Sequence, residues 1–154
     1  MSRNYLPTTL LCISLIITSP CILHAANEAS AGAPAWNPDA DPDTRGFYDI
    51  ARNYTGWTGN FYKKYADCLP DYYRSTAAGG QEDSWVDSSD MHYHVSHGGN
   101  RWDPGYVKNL KSVLFEGAGY VCPSEAENSW GNWDLEWIAF RNCSLLNDES
   151  RKYW

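Results

Sequence analysis

Two predicted strands, separated by about 40 residues, most constrain the fold that this chain can adopt. The second is Leu135 to Phe140, an apolar run bounded by turn residues, which is typical of a buried strand. The first alternates, so that Met91, Tyr93 and Val95 share one face of the strand while His92, His94 and Ser96 share the other. The intervening length favours a crossover connection. We therefore predict an α/β fold with a mostly parallel sheet.

Chemically active residues follow both predicted strands. His97 and Gly98 come directly after the first strand, and Cys143 comes shortly after the second, 46 residues further along the chain. Reactive groups gather beyond the carboxyl ends of parallel strands. A cysteine nucleophile needs a base to form its thiolate, and a glycine N–H can hold an oxyanion. We predict these three as catalytic residues; the alternative is that Cys143 is a buried strand-end residue and His97 a loop residue.

The segments GGQEDSWVDSSDMHYHVSHGG (79–99) and WGNWDLEWIAFRNCSLL (130–146) resemble a bacterial domain family of unknown function with a caspase-like fold. The resemblance implies the three-layer α/β fold of the caspase, legumain and gingipain clan. It also implies that His97 is the general base and Cys143 the nucleophile of a peptidase, which agrees with the spacing seen in caspases. A peptide or protein would then be the substrate.

The chain departs from that family in three places. Ser96 stands where a glycine commonly precedes the histidine, and Asn142 stands where a small residue commonly precedes the cysteine. The chain also ends 11 residues after Cys143, where the fold normally continues. We therefore expect a domain that is incomplete at its C-terminus. Such a chain would be completed by oligomerisation, or would be a catalytically inactive relative that binds a peptide or glycan.

Two alternatives compete with the cysteine peptidase. His92, His94 and His97 have the spacing of the metallo-β-lactamase motif, which favours a metal-dependent hydrolase, although Ser96 replaces the aspartate and no later histidine completes a zinc site. The other alternative is a binding groove for a glycan or peptide. Its candidate aromatic side chains are Trp130, Trp133, Trp137, Tyr106 and Tyr120.

The N-terminus has the pattern of an export signal. Residues 1–26 combine a weakly basic start, a short apolar segment and a small-residue end, which predicts a signal peptide and a secreted or periplasmic protein. Residues 27–43 lack apolar periodicity, and we predict a flexible lead-in there. Residues 44–154 would then form one domain. Cys68, Cys122 and Cys143 remain after cleavage, and we predict a disulfide between the first two.

Composition and the remaining patterns narrow the functional classes. The formal net charge is −7 and basic residues are not clustered, which argues against nucleic acid and membrane surfaces as partners. No motif predicts a nucleotide or another cofactor, a Ser-His-Asp triad or a glycosidase carboxylate pair. Two helices are also predicted: one carries Tyr62, Tyr65 and Leu69 on a single face, and one begins at Asp103-Pro104.

Overall fold

The computed structural model describes residues 27–35, 38–142, 145, 150 and 152–154. The predicted signal peptide and Cys143 lie outside the described residues. Within the described part, no helix has the length and apolar character needed to cross a membrane.

A four-stranded sheet, here called sheet A, organises the molecule. Its strands are β1 (Glu28–Ala33), β2 (Thr58–Lys64), β3 (Met91–Val95) and β7 (Trp137–Arg141). Their order is β2-β1-β3-β7, and all three pairings are parallel. The predicted parallel sheet is therefore confirmed, as are its two predicted strands, β3 and β7, which are direct neighbours.

Strand β1 lies in residues 27–43, which were predicted as a flexible lead-in. That prediction was wrong for residues 28–33, and also for residues 40–43, which begin the long helix described below. The six residues of β1 are nearly all small, and Ala29, Ser30 and Ala31 are fully buried. Small side chains are required because both faces of the strand are tightly covered. A Cβ on Gly32 would clash with the Tyr73 hydroxyl and would lie 3.0 Å from the Cys68 sulfur. An Ala, Ser and Gly segment has no apolar periodicity, which is why the sequence pattern concealed it.

One long helix, α1 (Ala40–Tyr54), covers one face of sheet A. It buries Ala40, Thr44, Tyr48 and Ala51 at helical spacing. The helix predicted around Tyr62 and Tyr65 was wrong. Tyr62 lies in β2, in which Phe61 enters the core while the Tyr62 hydroxyl donates to Asp41 of α1, and Tyr65 begins a single 3₁₀ turn after the strand.

The opposite face of sheet A is covered by irregular segments and a second sheet rather than by a helix in the described ranges. Five single-turn 3₁₀ segments join β2 to β3, at Tyr65–Asp67, Pro70–Tyr72, Thr76–Ala78, Glu82–Ser84 and Val86–Ser88. Sheet B is antiparallel and contains β4 (Gly98–Asp103), β5 (Lys108–Phe115) and β6 (Gly119–Val121), followed by the short helix α2 (Pro123–Ala126). The fold is thus mixed α/β, with a parallel and an antiparallel sheet.

The helix predicted at Asp103-Pro104 is instead the turn from β4 to β5. The buried Asp103 Oδ1 accepts the backbone N–H groups of Gly105 and Tyr106, at 2.9 and 3.2 Å. Its Oδ2 accepts the N–H of Ser124 at 3.0 Å. The carboxylate therefore joins the β4–β5 turn to the start of α2.

The disulfide predicted between Cys68 and Cys122 is absent, because both are free buried thiols. The Cys68 sulfur lies 3.5 Å from the Tyr73 hydroxyl, whereas the Cys122 sulfur lies 3.5 Å from the Ser112 hydroxyl and from the Trp102 carbonyl. Burial raises the pKa of Cys68 to about 12 and that of Cys122 to about 11. Both thiols are therefore protonated and unreactive at neutral pH.

Candidate functional site

The carboxyl ends of β3 and β7 are joined side by side. The Ser96 N–H donates to the Arg141 carbonyl at 3.2 Å. The Asn142 side-chain amide donates to the Ser96 hydroxyl at 2.9 Å and to the His97 carbonyl at 3.1 Å. One side chain at the end of β7 thus holds the backbone that carries His97. Cys143 follows Asn142 directly in the sequence and lies outside the described residues.

His97 is exposed and lines a cavity of about 320 Å³. Ala35, which follows β1, lies on the same cavity, so the cavity spans the ends of β1 and β3. In the order β2-β1-β3-β7, the connection after β1 leads to β2 on one side of the sheet, and the chain after β3 leads to β7 on the other side. The two connections diverge between β1 and β3, which is where ligands bind in open parallel sheets. Sheet B supplies the remaining wall: Arg101, Leu114, Phe115, Glu116, Gly117, Gly119 and Tyr120.

Gly98 begins β4, an edge strand of sheet B in the described region. The Leu114 N–H donates to the His97 carbonyl at 2.9 Å. His97 and Leu114 are therefore a hydrogen-bonded pair of the antiparallel ladder. Antiparallel ladders alternate, so the next pair, Gly98 with Val113, is the type whose N–H groups point away from the partner strand. The alternation therefore predicts that the Gly98 N–H is not used by β5.

The cavity carries charges that sequence reasoning missed. The Arg101 guanidinium lies 5.7 Å from the centre of the Tyr120 ring and donates to the Asn100 carbonyl at 2.9 Å. It makes no ion pair with a carboxylate of the described residues, although Glu116 lines the same cavity. No signal in the sequence marks these residues, because their proximity to His97 arises from the β4–β5 pairing.

Asp87 fixes the segment that leads into β7, and it too was missed. Its carboxylate is fully buried and accepts three backbone N–H groups, those of Gly131, Trp133 and Leu135, at 2.8 to 3.0 Å. These bonds tie the segment that precedes β3 to the one that precedes β7. They set the direction of the strand whose end carries Asn142.

His92 and His94 form a buried polar chain rather than a metal site with His97. The Tyr73 hydroxyl lies 2.9 Å from His92 Nε2 and 2.8 Å from His94 Nδ1, and the Ser30 hydroxyl lies 2.7 Å from His92 Nδ1. In the described part of the chain, no three His, Cys, Asp or Glu side chains are grouped as metal ligands would be. Burial lowers the pKa of His92 to about 3, and burial with the neighbouring His92 lowers that of His94.

The five aromatic side chains predicted to line one groove are dispersed. Tyr120 lies at the His97 cavity, whereas Trp130 lies at a second cavity with the C-terminal residues. Trp133 and Trp137 are 77 and 67% exposed. The Tyr106 ring contacts that of Tyr153 at a tilt of 47°. A single aromatic groove is therefore not formed by these five.

A family model described as a domain of unknown function, DUF6345, matches residues 33–154. The chain belongs to this family. The match extends from the last residue of β1 onward, so His97, Asn142 and the cavity walls all lie within the DUF6345 domain. No match was found among curated proteins or among solved structures. The family description assigns no activity, and the caspase-like relationship stays a prediction.

Proposed function

We propose that this DUF6345 domain is an exported, caspase-like cysteine hydrolase that cleaves peptide bonds. His97 is the general base, Cys143 the nucleophile, and the Gly98 N–H the oxyanion donor. The observation that supports the proposal best is the Asn142 amide, which bonds to the His97 carbonyl at 3.1 Å from the position directly before Cys143 in the chain. His97 thus lies at the end of β3, beside the neighbouring strand β7, and lines a cavity, and Cys143 is the residue after Asn142 in the sequence.

The proposed chemistry begins with proton transfer from the Cys143 thiol to the His97 imidazole. The sulfur attacks the carbonyl carbon, and the resulting oxyanion accepts the Gly98 N–H. The imidazolium then donates its proton to the leaving amine, which leaves a thioester. Water, deprotonated by the same histidine, hydrolyses the thioester and restores the free thiol. Exposure of His97 suits this cycle, because the imidazole must exchange protons with both substrate and water.

The surrounding residues support a peptide rather than a nucleic acid or a cofactor as the occupant. The cavity has the volume of a small-molecule or side-chain pocket. Its wall alternates apolar groups, such as Leu114 and Phe115, with the charged Arg101 and Glu116. This mixture suits one side chain of an extended peptide. An inactive relative would bind such a peptide in the same cavity without cleaving it.

A peptide-library digestion tests the proposal. The purified protein is incubated with a mixed peptide library, and new termini are identified by mass spectrometry. Removing the base in His97→Gln is expected to slow cleavage by about 10²–10⁴-fold, and Cys143→Ser should abolish it. Cys122→Ala is the matched control, because that thiol is buried and should leave the rate unchanged. Cleavage that persists in Cys143→Ser would refute the mechanism, and saturable binding without cleavage would identify the inactive relative.

A further inference from the structure

A second cavity, of about 380 Å³, lies on another part of the molecule and shares no lining residue with the His97 cavity. It is bounded by the end of α2 and the following turn, by Ile138 of β7, and by Tyr153 and Trp154. Its position and composition are independent of the proposed peptidase site. We name it the tryptophan cavity, after Trp130 and Trp154.

The two tryptophans form a fixed apolar wall. Their ring planes lie within 21° of each other, with centroids 5.5 Å apart. Both indole N–H groups are used by the protein: that of Trp130 donates to the Tyr73 carbonyl at 2.9 Å, and that of Trp154 to the Lys111 carbonyl at 2.8 Å. The rings therefore offer carbon surface rather than hydrogen-bond donors to a ligand. Because they are already held in place, a ligand would not have to order them.

Tyr153 is also held in place, and its surroundings disfavour a cationic ligand. Its ring lies 4.6 Å from that of Tyr106, and the Lys108 ammonium donates to its hydroxyl. The ammonium groups of Lys108 and Lys152 lie 4.2 and 5.2 Å from the ring centre. Because two ammonium groups already lie against this ring, a positively charged ligand would be repelled by them and would gain little from a cation–π contact.

The rim of the tryptophan cavity supplies polar groups. Asn128 has a φ of +56°, and its exposed side-chain amide makes no hydrogen bond within the part of the chain that the structure describes. An amide offers donors and an acceptor together, as paired sugar hydroxyls require. The adjacent Glu127 is exposed and lines the same cavity, and its carboxylate can accept hydrogen bonds from sugar hydroxyls.

We propose that the tryptophan cavity binds a pyranose ring of a neutral oligosaccharide. A pyranose has an apolar C–H face, which matches the indole wall, and a rim of hydroxyls, which matches Asn128 and Glu127. A nucleotide would be repelled by the rim carboxylate and by the chain's net charge of −7. The cavity volume suits one ring of such a ligand.

Two-dimensional NMR of the tryptophan indole N–H groups tests this site. Chitotriose, cellotriose and maltotriose are titrated separately into the ¹⁵N-labelled full chain. At least one sugar is expected to shift the Trp130 and Trp154 signals saturably, with a Kd on the order of 1 mM, while Trp133 stays unchanged. If none of the three shifts either signal at about ten times that concentration, or if only Trp133 shifts, the proposal is overturned.

Substitutions assign the binding to the rim. Asn128→Gly removes the amide but suits the left-handed backbone, so it should keep the fold while weakening binding about tenfold. Asn53→Ala, on the exposed side of α1, is the matched control and should bind as the unaltered chain does. Equal affinity in Asn128→Gly would contradict the assignment. His97→Gln should bind the sugar normally even if it loses peptide cleavage, which separates this site from the proposed peptidase.

Discussion

Acid should destabilise this protein at an unusually high pH, because two histidines are buried in the neutral form. His92 and His94 are both fully buried, and burial lowers the pKa of His92 to about 3 from an ordinary 6.5. The folded state therefore stays unprotonated at these two sites, while the unfolded chain binds protons below pH 6.5. Because unfolding takes up protons, the free energy of unfolding falls as the pH falls from 6.5 towards 3.

The size of this loss of stability follows from the difference between the pKa values of the folded and unfolded states. Between pH 7 and pH 5, a group with an unfolded pKa of 6.5 and a folded pKa near 3 reduces the free energy of unfolding by about 2 kcal/mol. His94, whose pKa burial also lowers, adds to this loss in the same direction. That loss is a large part of the ordinary stability of a domain of this size.

Urea unfolding at pH 7 and pH 5, followed by tryptophan fluorescence, measures this loss. The His94→Gln variant is expected to be less stable at pH 7, since it disturbs the bond to Tyr73. Its loss of stability between the two pH values should be smaller than that of the unaltered chain. Asn53→Ala, at an exposed position of α1, is the matched control and should leave the pH dependence unchanged. Equal stability of the unaltered chain at pH 7 and pH 5 would refute the assignment of neutral buried histidines.

Two further stability predictions concern the buried carboxylate and the central strand. Asp87→Asn replaces an acceptor of three backbone N–H groups with a group that also donates, so it should lower the free energy of unfolding in urea by about 3 kcal/mol or more. Asp67→Asn, at an exposed position, is the control and should lower it by less than about 0.5 kcal/mol. Gly32→Ala should cost more than about 2 kcal/mol because its Cβ clashes with the Tyr73 hydroxyl. Gly46→Ala in α1 meets no atom within 4 Å and should stabilise by up to about 1 kcal/mol. Equal effects within either pair would contradict the packing described.

The sequence predicted the part of the fold in which residue pattern and burial coincide. In β3, the alternation places His92 and His94 on the inner face and Tyr93 on the α1 side, where its ring contacts Phe47. In β7, the apolar run indicated a strand to within two residues. The parallel pairing of β3 and β7 followed from the length of the connection between them. The positions of His97 and Gly98 followed from the predicted end of β3.

The remaining elements depend on contacts between distant residues, which a local pattern does not show. Strand β1 is recognisable only once Tyr73 and α1 are known to cover it, because its residues are small rather than apolar. Asp103 resembles a helix cap in sequence, but its carboxylate serves the β4–β5 turn and the start of α2. Likewise, Arg101 approaches His97 through the pairing of sheet B, and no spacing in the sequence expresses that proximity.

The pH dependence of Cys143 alkylation tests the central claim most directly. Iodoacetamide labelling is quantified by mass spectrometry from pH 5 to pH 10, and Cys68 and Cys122 serve as slow internal references because burial raises their pKa values to about 12 and 11. A dyad predicts a Cys143 midpoint well below the ordinary value of about 8.5, and His97→Gln should restore that value and slow labelling at pH 7 by about tenfold. A midpoint near 8.5 in the unaltered chain, unchanged by His97→Gln, would contradict the proposed function.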